Sequence, residues 1–362
     1  MSITARDERF MREAIGLSLS HVGRTGSNPS VGCVIVKDGQ VVGRGVTALG
    51  GRPHAEPQAL DEAGVKARGA TAYVTLEPCS HHGKTPPCAN AIIAAGISRV
   101  VVAVADPDPR VSGQGLKMLA DADIEVTIGV LQKEARRAMS GYLTRQTKGR
   151  PQVILKLAVS ADGMLGREGA GQVAITGAQA RTEVHRLRAA SDAILVGIGT
   201  ALADDPELTV RLPGLEEASP LRVVLDRRAE LPASSKLART AGSVPVLVAI
   251  STGAEGNRAA LADAGVEIVE LEGVEDLLST LAQRGISSLM VEGGARVASD
   301  LLSRGLVDRI HLYCGEIVVG EGGIASPITA SQLPAGFALA EERMLGRDRL
   351  RIYDRLPASA WV

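Results

Sequence analysis

Aromatic side chains are scarce in this sequence, which has one Trp, four Tyr and two Phe among 362 residues. Proteins that hold single-stranded nucleic acid usually stack the bases on several aromatic rings. Lys and Arg number 40 against 41 Asp and Glu, so the net charge of -1 lacks the basic excess of a phosphate-tracking surface. We therefore expect no nucleic-acid partner, and cores built from aliphatic side chains.

Long apolar runs and abundant cysteines are missing as well. No stretch is long and apolar enough to span a bilayer, and the first residues, MSITARDERFMREAIGL, carry charges where a secretion signal has an apolar segment. Four cysteines do not make a disulfide framework in a chain of this size. Cys33 and Cys314 lie in apolar runs and are expected to be buried. We expect a cytoplasmic protein with no membrane partner.

The length suits two domains, because single hydrophobic cores stop growing beyond about 250 residues. In the first half, an amphipathic helix precedes a strand hairpin, and helices and strands then alternate. The pattern restarts after Gly149 and Pro151, which end a polar helical stretch. We predict domains at residues 1–147 and 148–362, both of the α/β class.

A metal-binding pattern is present in the first domain, in the stretches GRPHAEPQAL and TLEPCSHHGKTPPC. His54, Cys79 and Cys88 offer one imidazole and two thiolates, which is a ligand set typical of zinc. Three protein ligands leave the fourth tetrahedral position to water, as in catalytic rather than structural zinc sites. Glu56, two residues after His54, is placed to transfer protons and not to bind metal. The pattern predicts a hydrolytic deaminase centre.

Both halves of this pattern are predicted at strand-to-helix junctions, at the sheet edge where α/β proteins usually bind ligands. Eight residues, SHHGKTPP, separate the two thiols. Within them, His81 and Lys84 suit an anionic group such as a substrate phosphate. A plain solvated loop is the alternative interpretation.

The stretches NPSVGCVIVKDG, HAE, TLEPCSHHGKTPPC and ADPDP resemble the deaminase domain of the bifunctional riboflavin biosynthesis deaminase/reductases, the RibD family. The resemblance implies a cytidine-deaminase-like three-layer fold. It also implies deamination of a diamino-ribosylaminopyrimidinone phosphate to the ribosylaminouracil phosphate, with Asn28 at the pyrimidine and His81 and Lys84 at the phosphate. Pro57 and Asp108 stand where the family more often has Val and Asn.

The second domain has Gly-rich turns but no complete dinucleotide fingerprint, because GIGTALADD lacks the third glycine. Gly293 and Gly294 in VEGGARVASDLL are better candidates for holding a phosphate. They end a predicted strand and open a helix whose first backbone N–H groups are free to bind an anion.

The stretches LKLAVSADG, ITG, HRLRAASDAILVGIGTALADDPELTVR and VEGG resemble the reductase domain of the same family. The resemblance implies a dihydrofolate-reductase-like α/β fold with a mixed sheet, and hydride transfer from NADPH that opens the ribosyl ring to ribityl. The cofactor contacts that it implies are Ala158, Thr200, Asp204 and Gly294. The substrate contacts that it implies are Arg188, Leu208, Arg211 and Glu292. Arginines suit a phosphorylated sugar, and surface salt bridges are the alternative.

Two further features of the second domain concern the cofactor. Gln172 and Ala174 replace the Ser and Trp expected near the nicotinamide from the resemblance. Arg227 and Arg228, after LRVVLD, either favour NADPH through its 2'-phosphate or belong to the plain surface.

Other functions are compatible with parts of this pattern. One is a deaminase of another base with an inactive second domain, and another is a zinc-stabilised binding protein without turnover. The resemblance in both domains favours a bifunctional enzyme and implies zinc and NADPH as cofactors and phosphorylated pyrimidines as substrates. The resemblance also implies a homo-oligomer.

Overall fold

The computed structural model describes residues 3–81 and 86–356 and divides into two compact units, Met1–Arg150 and Pro151–Val362. The predicted domain boundary falls inside a helix that ends at Lys148. Gly149 terminates this helix in the left-handed conformation, with φ of 64°. The boundary between the two units therefore lies just after the end of the helix. In the described residues, no helix is both long and apolar enough to cross a membrane.

The first unit contains a five-stranded sheet. Its strands are β1 (Gly32–Lys37), β2 (Gln40–Val46), β3 (Thr71–Leu76), β4 (Arg99–Val104) and β5 (Glu125–Ile128). Its helices are α1 (Ala5–Leu19), α2 (Ala55–Ala63), α3 (Cys88–Ala94), α4 (Gln114–Asp121), α5 (Gln132–Ala138) and α6 (Ser140–Lys148). The strand order is β2-β1-β3-β4-β5. Because β1 is antiparallel to both β2 and β3, the carboxyl ends of β2 and β3 reach the same sheet edge.

Short-range sequence features explain how α2 is placed on this sheet. The dipeptide Asp38-Gly39 favours a two-residue turn, and it joins β1 to β2 in the predicted hairpin, with φ of 49° and 80°. Gly45 on β2 lets α2 approach closely, since a Cβ there would lie 2.0 Å from the carbonyl oxygen of Ala55. The first turn of α2, which carries Glu56, is therefore held directly on the sheet.

The second unit contains a nine-stranded mixed sheet and a separate pair of strands. Its strands are β6 (Gln152–Val159), β7 (Met164–Arg167), β8 (Ala193–Gly197), β9 (Leu221–Leu225), β10 (Val246–Ile250), β11 (Glu267–Glu270), β12 (Ser288–Val291), β13 (Arg309–Cys314), β14 (Gly323–Ala325), β15 (Phe337–Leu345) and β16 (Asp348–Arg355). Its helices are α7 (Ala178–Ala189), α8 (Ile198–Asp204), α9 (Lys236–Arg239), α10 (Arg258–Asp263), α11 (Val274–Gln283) and α12 (Ala295–Ser303).

The large sheet has the order β11-β10-β9-β8-β12-β6-β13-β16-β15, and β7 pairs with β14. Strands from β11 to β13 are parallel, whereas β16 is antiparallel to both of its neighbours. The predicted mixed sheet is thus present. The carboxyl ends of β8, β12 and β6, which are adjacent, form one edge.

Two element boundaries differ from the sequence-based expectation. The sequence pattern predicts a helix from Pro86 to Ala95, whereas α3 begins only at Cys88, because Pro87 is extended with φ of -58° and ψ of 140°. Pro87 also disfavours helical backbone at Pro86, the residue before it. The polar stretch before Gly149, predicted to be helical, forms two helices that meet at Met139, where φ is -104° and ψ is 18°.

Candidate active sites

The three predicted metal ligands meet at the edge shared by β2 and β3. His54 precedes α2, Cys79 follows β3, and Cys88 is the first residue of α3. The Nδ1 atom of His54 lies 3.4 Å from Sγ of Cys88 and 3.7 Å from Sγ of Cys79. Ordinary Zn–N and Zn–S bonds at tetrahedral angles would set such N···S distances at about 3.6 Å. The donor set and its spacing therefore fit zinc.

Donors around Cys79 favour its thiolate. The Cys88 side chain, the His54 ring and the backbone N–H of Cys88, at 3.3 Å, lower the pKa of Cys79 to about 4. The hydrogen bond of the Cys88 thiol to Cys79, together with burial, raises the pKa of Cys88 well above the usual value of a thiol. Zinc binds cysteine as the thiolate, so the low pKa of Cys79 favours metal binding.

Glu56 lies in the first turn of α2 and is only 4% exposed. Burial, and then the negative charge of Cys79, raise the pKa of its carboxyl group. A carboxyl group with a raised pKa beside a metal site is suited to accept a proton and return it near neutral pH. Pro57 is the third residue of α2, where its missing N–H leaves no helical hydrogen bond unmade.

Asn28 lies beside the loop that leads to His54. Its backbone carbonyl accepts a hydrogen bond from the Thr25 hydroxyl at 2.7 Å, and its backbone N–H donates to the Thr25 carbonyl at 3.2 Å. A Cβ at Gly51 would lie 2.4 Å from Nδ2 of Asn28, so the amide packs against the Gly51 backbone. Asn28 thus packs against the loop that leads to His54, and its contact with the pyrimidine stays a prediction.

The predicted phosphate loop is described only in part. Lys84 lies outside the described residues, whereas the Nδ1 atom of His81 is buried without a hydrogen-bond partner in the described part of the chain. The carboxylate of Asp108, which interacts with His81, would repel a phosphate if it were unpaired. However, the guanidinium of Arg110 binds its carboxylate, with Nε 3.0 Å and 3.1 Å from the two oxygens, and lowers its pKa. The pair is neutral overall.

In the second unit, Glu292 follows β12 and binds two cations. Arg188 donates to both carboxylate oxygens, at 2.6 Å and 3.0 Å, and Nζ of Lys156 lies 3.7 Å away. Burial alone would raise the pKa of Glu292, but the charges of Lys156 and Arg188 hold it at about 2. Sequence reasoning missed Lys156. Its signal was a lysine between Leu155 and Leu157 in an otherwise apolar strand.

The segment from residue 207 to 211 packs beside Arg188. Arg188 also donates to the carbonyl oxygen of Thr209 at 3.0 Å, and the backbone N–H of Arg211 donates to Nδ1 of His185 at 3.3 Å. Leu208 has φ of 58° and a side chain in the hydrophobic core, 3% exposed. A substrate contact at Leu208 would therefore involve its backbone. His185 also lies within this group, through its contact with Arg211.

Three of the predicted cofactor residues, Ala158, Thr200 and Gly294, lie near the carboxyl ends of the adjacent strands β6, β8 and β12. Gly294, before α12, donates its backbone N–H to the Thr200 hydroxyl at 3.1 Å. Ala158 lies near the end of β6, and Asp204 ends α8, where burial raises the pKa of its carboxyl group. A Cβ at Gly294 would lie 3.2 Å from the Thr200 hydroxyl oxygen, so the glycine allows this close contact.

A cavity of about 320 Å³ lies at the carboxyl ends of β9 and β10, and Arg227 and Ser251 line it. Arg228 instead approaches Glu230, at 3.7 Å, with a side chain that is 82% exposed. The two consecutive arginines therefore have different surroundings.

Gln172 and Ala174, which replace the Ser and Trp expected from the resemblance, are both exposed.

Two family models match the chain. Residues 4–104 match the cytidine and deoxycytidylate deaminase zinc-binding region, and residues 151–348 match the RibD C-terminal domain. The chain belongs to the RibD family. The region that matches the deaminase model contains all three metal ligands, His54, Cys79 and Cys88, and each matched region lies within one of the two compact units.

RibD proteins of known sequence and structure support this assignment. The riboflavin biosynthesis protein RibD of Aquifex aeolicus (strain VF5) is 42% identical over 318 residues, which are 87% of this chain and 88% of that protein. The RibD protein of Bacillus amyloliquefaciens is 40% identical over 87% of this chain and 85% of its own length.

Solved structures agree in fold. Acinetobacter baumannii RibD, form 1, is 39% identical, with a TM-score of 0.88 over 97% of this chain and 99% of that chain. A Thermotoga maritima diaminohydroxyphosphoribosylaminopyrimidine deaminase/5-amino-6-(5-phosphoribosylamino)uracil reductase is 36% identical, with a TM-score of 0.86 over the same shares, 97% and 99%. The chain is a bifunctional riboflavin biosynthesis enzyme of the RibD family, with a zinc-dependent deaminase and an NADPH-dependent reductase domain.

Proposed function

We propose that the first unit deaminates a phosphorylated diaminopyrimidine, and that the second unit reduces the ribosyl side chain of the product to ribityl. The names of the Thermotoga maritima relative's two activities support these substrates. The observation that carries the proposal is the arrangement of one imidazole and two thiols beside the buried carboxyl group of Glu56. The domains are proposed at residues 1–147 and 148–362.

In the first unit, Glu56 transfers the protons. His54, Cys79 and Cys88 would hold zinc, which would supply a Lewis acid that lowers the pKa of a water molecule to about 7. Glu56 accepts a proton from the attacking water and delivers protons to the ring nitrogen and then to the leaving amine. Ammonia departs, and a carbonyl group remains on the ring.

Polar groups around this centre bind the rest of the substrate. The Asn28 amide both donates and accepts hydrogen bonds, and so suits the pyrimidine edge. His81 and Lys84 bind the phosphate. The pairing of Asp108 with Arg110 supports this position, because it removes a net negative charge close to His81.

In the second unit, NADPH supplies the hydride. Its proposed contacts are Ala158, Thr200, Asp204 and Gly294. The proposed substrate contacts are Arg188, Leu208, Arg211 and Glu292, with Lys156 added from the structure. Because two cations keep Glu292 ionised, it presents a fixed acceptor for substrate N–H or O–H groups. Arg211, with a side chain that is 53% exposed, is suited to the phosphate.

A cytoplasmic location is part of this proposal. All four cysteines are free thiols, and two of them belong to the metal group, as suits a reducing compartment. Self-association stays a prediction. No nucleic-acid or membrane partner is proposed.

The proposal is tested with Glu56→Gln in the full chain. We expect unchanged zinc content, deamination slowed by about 100-fold or more, and unchanged NADPH oxidation on the deaminated pyrimidine. Wild-type deamination by Glu56→Gln would contradict the role of Glu56. A wild-type protein that deaminates but never oxidises NADPH would favour a deaminase with an inactive second domain.

A further inference from the structure

A buried carboxylate next to the metal loop has no part in the chemistry described above. Glu77 lies between β3 and Cys79 and is 3% exposed. Its carboxylate accepts four backbone N–H groups: Asp106 at 3.2 Å, Gly113 at 3.1 Å, Gly115 at 3.0 Å and Leu116 at 3.3 Å. These donors come from the segment that follows β4 and from the first turn of α4.

Four donors satisfy the lone pairs of both carboxylate oxygens. Hydrogen bonds from N–H groups to an ionised carboxylate are about twice as strong as neutral ones. Gly115 and Leu116 belong to the N-terminal turn of α4, whose N–H groups have no partners within the helix. Glu77 therefore caps α4 from another element, and the positive end of the helix stabilises its charge.

The backbone at the start of α4 also packs directly against the residues around Cys79. A Cβ at Gly115 would lie 2.0 Å from the carbonyl oxygen of Pro78, so the start of α4 is in direct contact with the residue before Cys79. On the other side of Cys79, the Ser80 hydroxyl donates to the carbonyl oxygen of Arg110 at 3.4 Å. Residues on both sides of this metal ligand are thus attached to the segment 105–116.

That segment is itself well anchored. The Tyr142 hydroxyl donates to both carboxylate oxygens of Asp106, at 2.9 Å and 3.1 Å, and Asp106 accepts the backbone N–H of Asp108 at 2.9 Å. It therefore provides a rigid support for the residues that lead to Cys79.

We propose that Glu77 is a positioning residue of the deaminase centre, which holds Cys79 in place for metal binding by fixing residues 77–79 to the segment 105–116. This proposal rests on the zinc role proposed for His54, Cys79 and Cys88. Groups that orient metal ligands typically change metal affinity by about 10- to 100-fold when they are replaced.

Glu77→Gln in the full chain tests the proposal. An amide in place of the carboxylate turns an N–H donor toward backbone N–H groups and so removes about two of the four bonds. We expect the zinc Kd, measured by chelator competition, to rise about 10- to 100-fold. We also expect the thiolate and d–d absorption bands of the cobalt-substituted protein to shift, while NADPH-dependent reduction is unchanged.

The control is Asp7→Asn, which alters another buried carboxylate of the first unit, bound by Tyr73 and Arg99. It should lower the melting temperature but leave the zinc Kd and the cobalt spectrum as in the wild type. The proposal is overturned if Glu77→Gln behaves in the same way. A wild-type protein without thiolate-bound metal would overturn the proposed function and this inference together.

If Glu77→Gln does not fold, Ser80→Ala tests the proposal instead. It removes the hydrogen bond to the Arg110 carbonyl oxygen, which attaches the residue after Cys79 to the segment 105–116. An increase in the zinc Kd with a shifted cobalt spectrum supports the proposal. Wild-type values of both would overturn it.

Discussion

Arg188 donates hydrogen bonds to both carboxylate oxygens of Glu292, at 2.6 Å and 3.0 Å. Lys156 adds a second positive charge 3.7 Å from the same carboxylate. All three side chains are largely buried, with exposures of 11%, 14% and 17% for Arg188, Glu292 and Lys156. Removing one partner of such a group leaves buried charge uncompensated, which costs more than the pairing itself contributes.

We therefore expect Glu292→Gln to lower the free energy of unfolding of the second unit by about 3 kcal/mol and to abolish reduction. Deamination should be unchanged. Thermal unfolding and NADPH oxidation measure the two effects. Glu342→Gln is the control, since Glu342 forms an exposed pair with Arg351 and should cost less than about 1 kcal/mol. Equal destabilisation by the two variants would contradict this account.

The metal ligands and the other thiols should respond differently to substitution. Cys79→Ala removes one ligand of the zinc group, and we expect loss of bound zinc and of deamination with reduction intact. Cys33→Ala removes a buried thiol outside the group and should keep one zinc per chain. Metal analysis and both activity assays check this. Loss of reduction in Cys79→Ala would indicate that zinc is structural for the whole chain.

Acid should weaken the first unit through Asp7. Burial alone would raise the pKa of Asp7, but bonds from Arg99, at 2.7 Å, and from Thr4 lower it from 3.8 to about 2. A lowered pKa stabilises the fold by about 2 kcal/mol above pH 4, and this contribution is lost as the pH falls through about 2. Asp7→Asn should unfold more easily at neutral pH, and its difference from the wild type should shrink toward pH 2. Denaturant unfolding of both proteins from neutral pH to pH 2 measures this difference in the free energy of unfolding. A constant difference would show that Asp7 titrates normally.

Arg227 and Arg228 should differ in their effect on cofactor choice. Arg227 lines the cavity at the ends of β9 and β10, whereas Arg228 lies beside Glu230. We expect Arg227→Ala to raise the Kd of NADPH about tenfold and to leave that of NADH unchanged, because only NADPH carries the 2'-phosphate. Arg228→Ala should change neither. Fluorescence titration with both nucleotides measures this. Equal losses for NADPH and NADH would argue against a 2'-phosphate contact.

The metal centre was predictable because its chemistry is local. His54 and Glu56 are two residues apart, Cys79 and Cys88 lie at predicted junctions, and the ligand types alone indicate zinc. The Asp-Gly turn predicted the hairpin that directs β2 toward the same edge as β3. Sequence reasoning could therefore place the ligands on one sheet edge before any distance was known.

The supporting contacts were not predictable, because they join residues that are distant in sequence. Lys156 reaches Glu292 only through the pairing of β6 with β12, which no local pattern specifies. Glu77 binds a segment that follows a different strand, so its partners depend on how β3 and β4 pair. The start of α3 was misplaced for a local reason, since two prolines keep the chain extended up to Cys88.

The most direct test of two consecutive active sites on one chain is to follow ammonia release and NADPH oxidation together, starting from the phosphorylated diaminopyrimidine. The account predicts that ammonia appears first and that one NADPH is then oxidised for each ammonia released. Removing zinc should stop both, and adding the deaminated pyrimidine should restore oxidation alone. NADPH oxidation from the diaminopyrimidine without ammonia release would contradict the account.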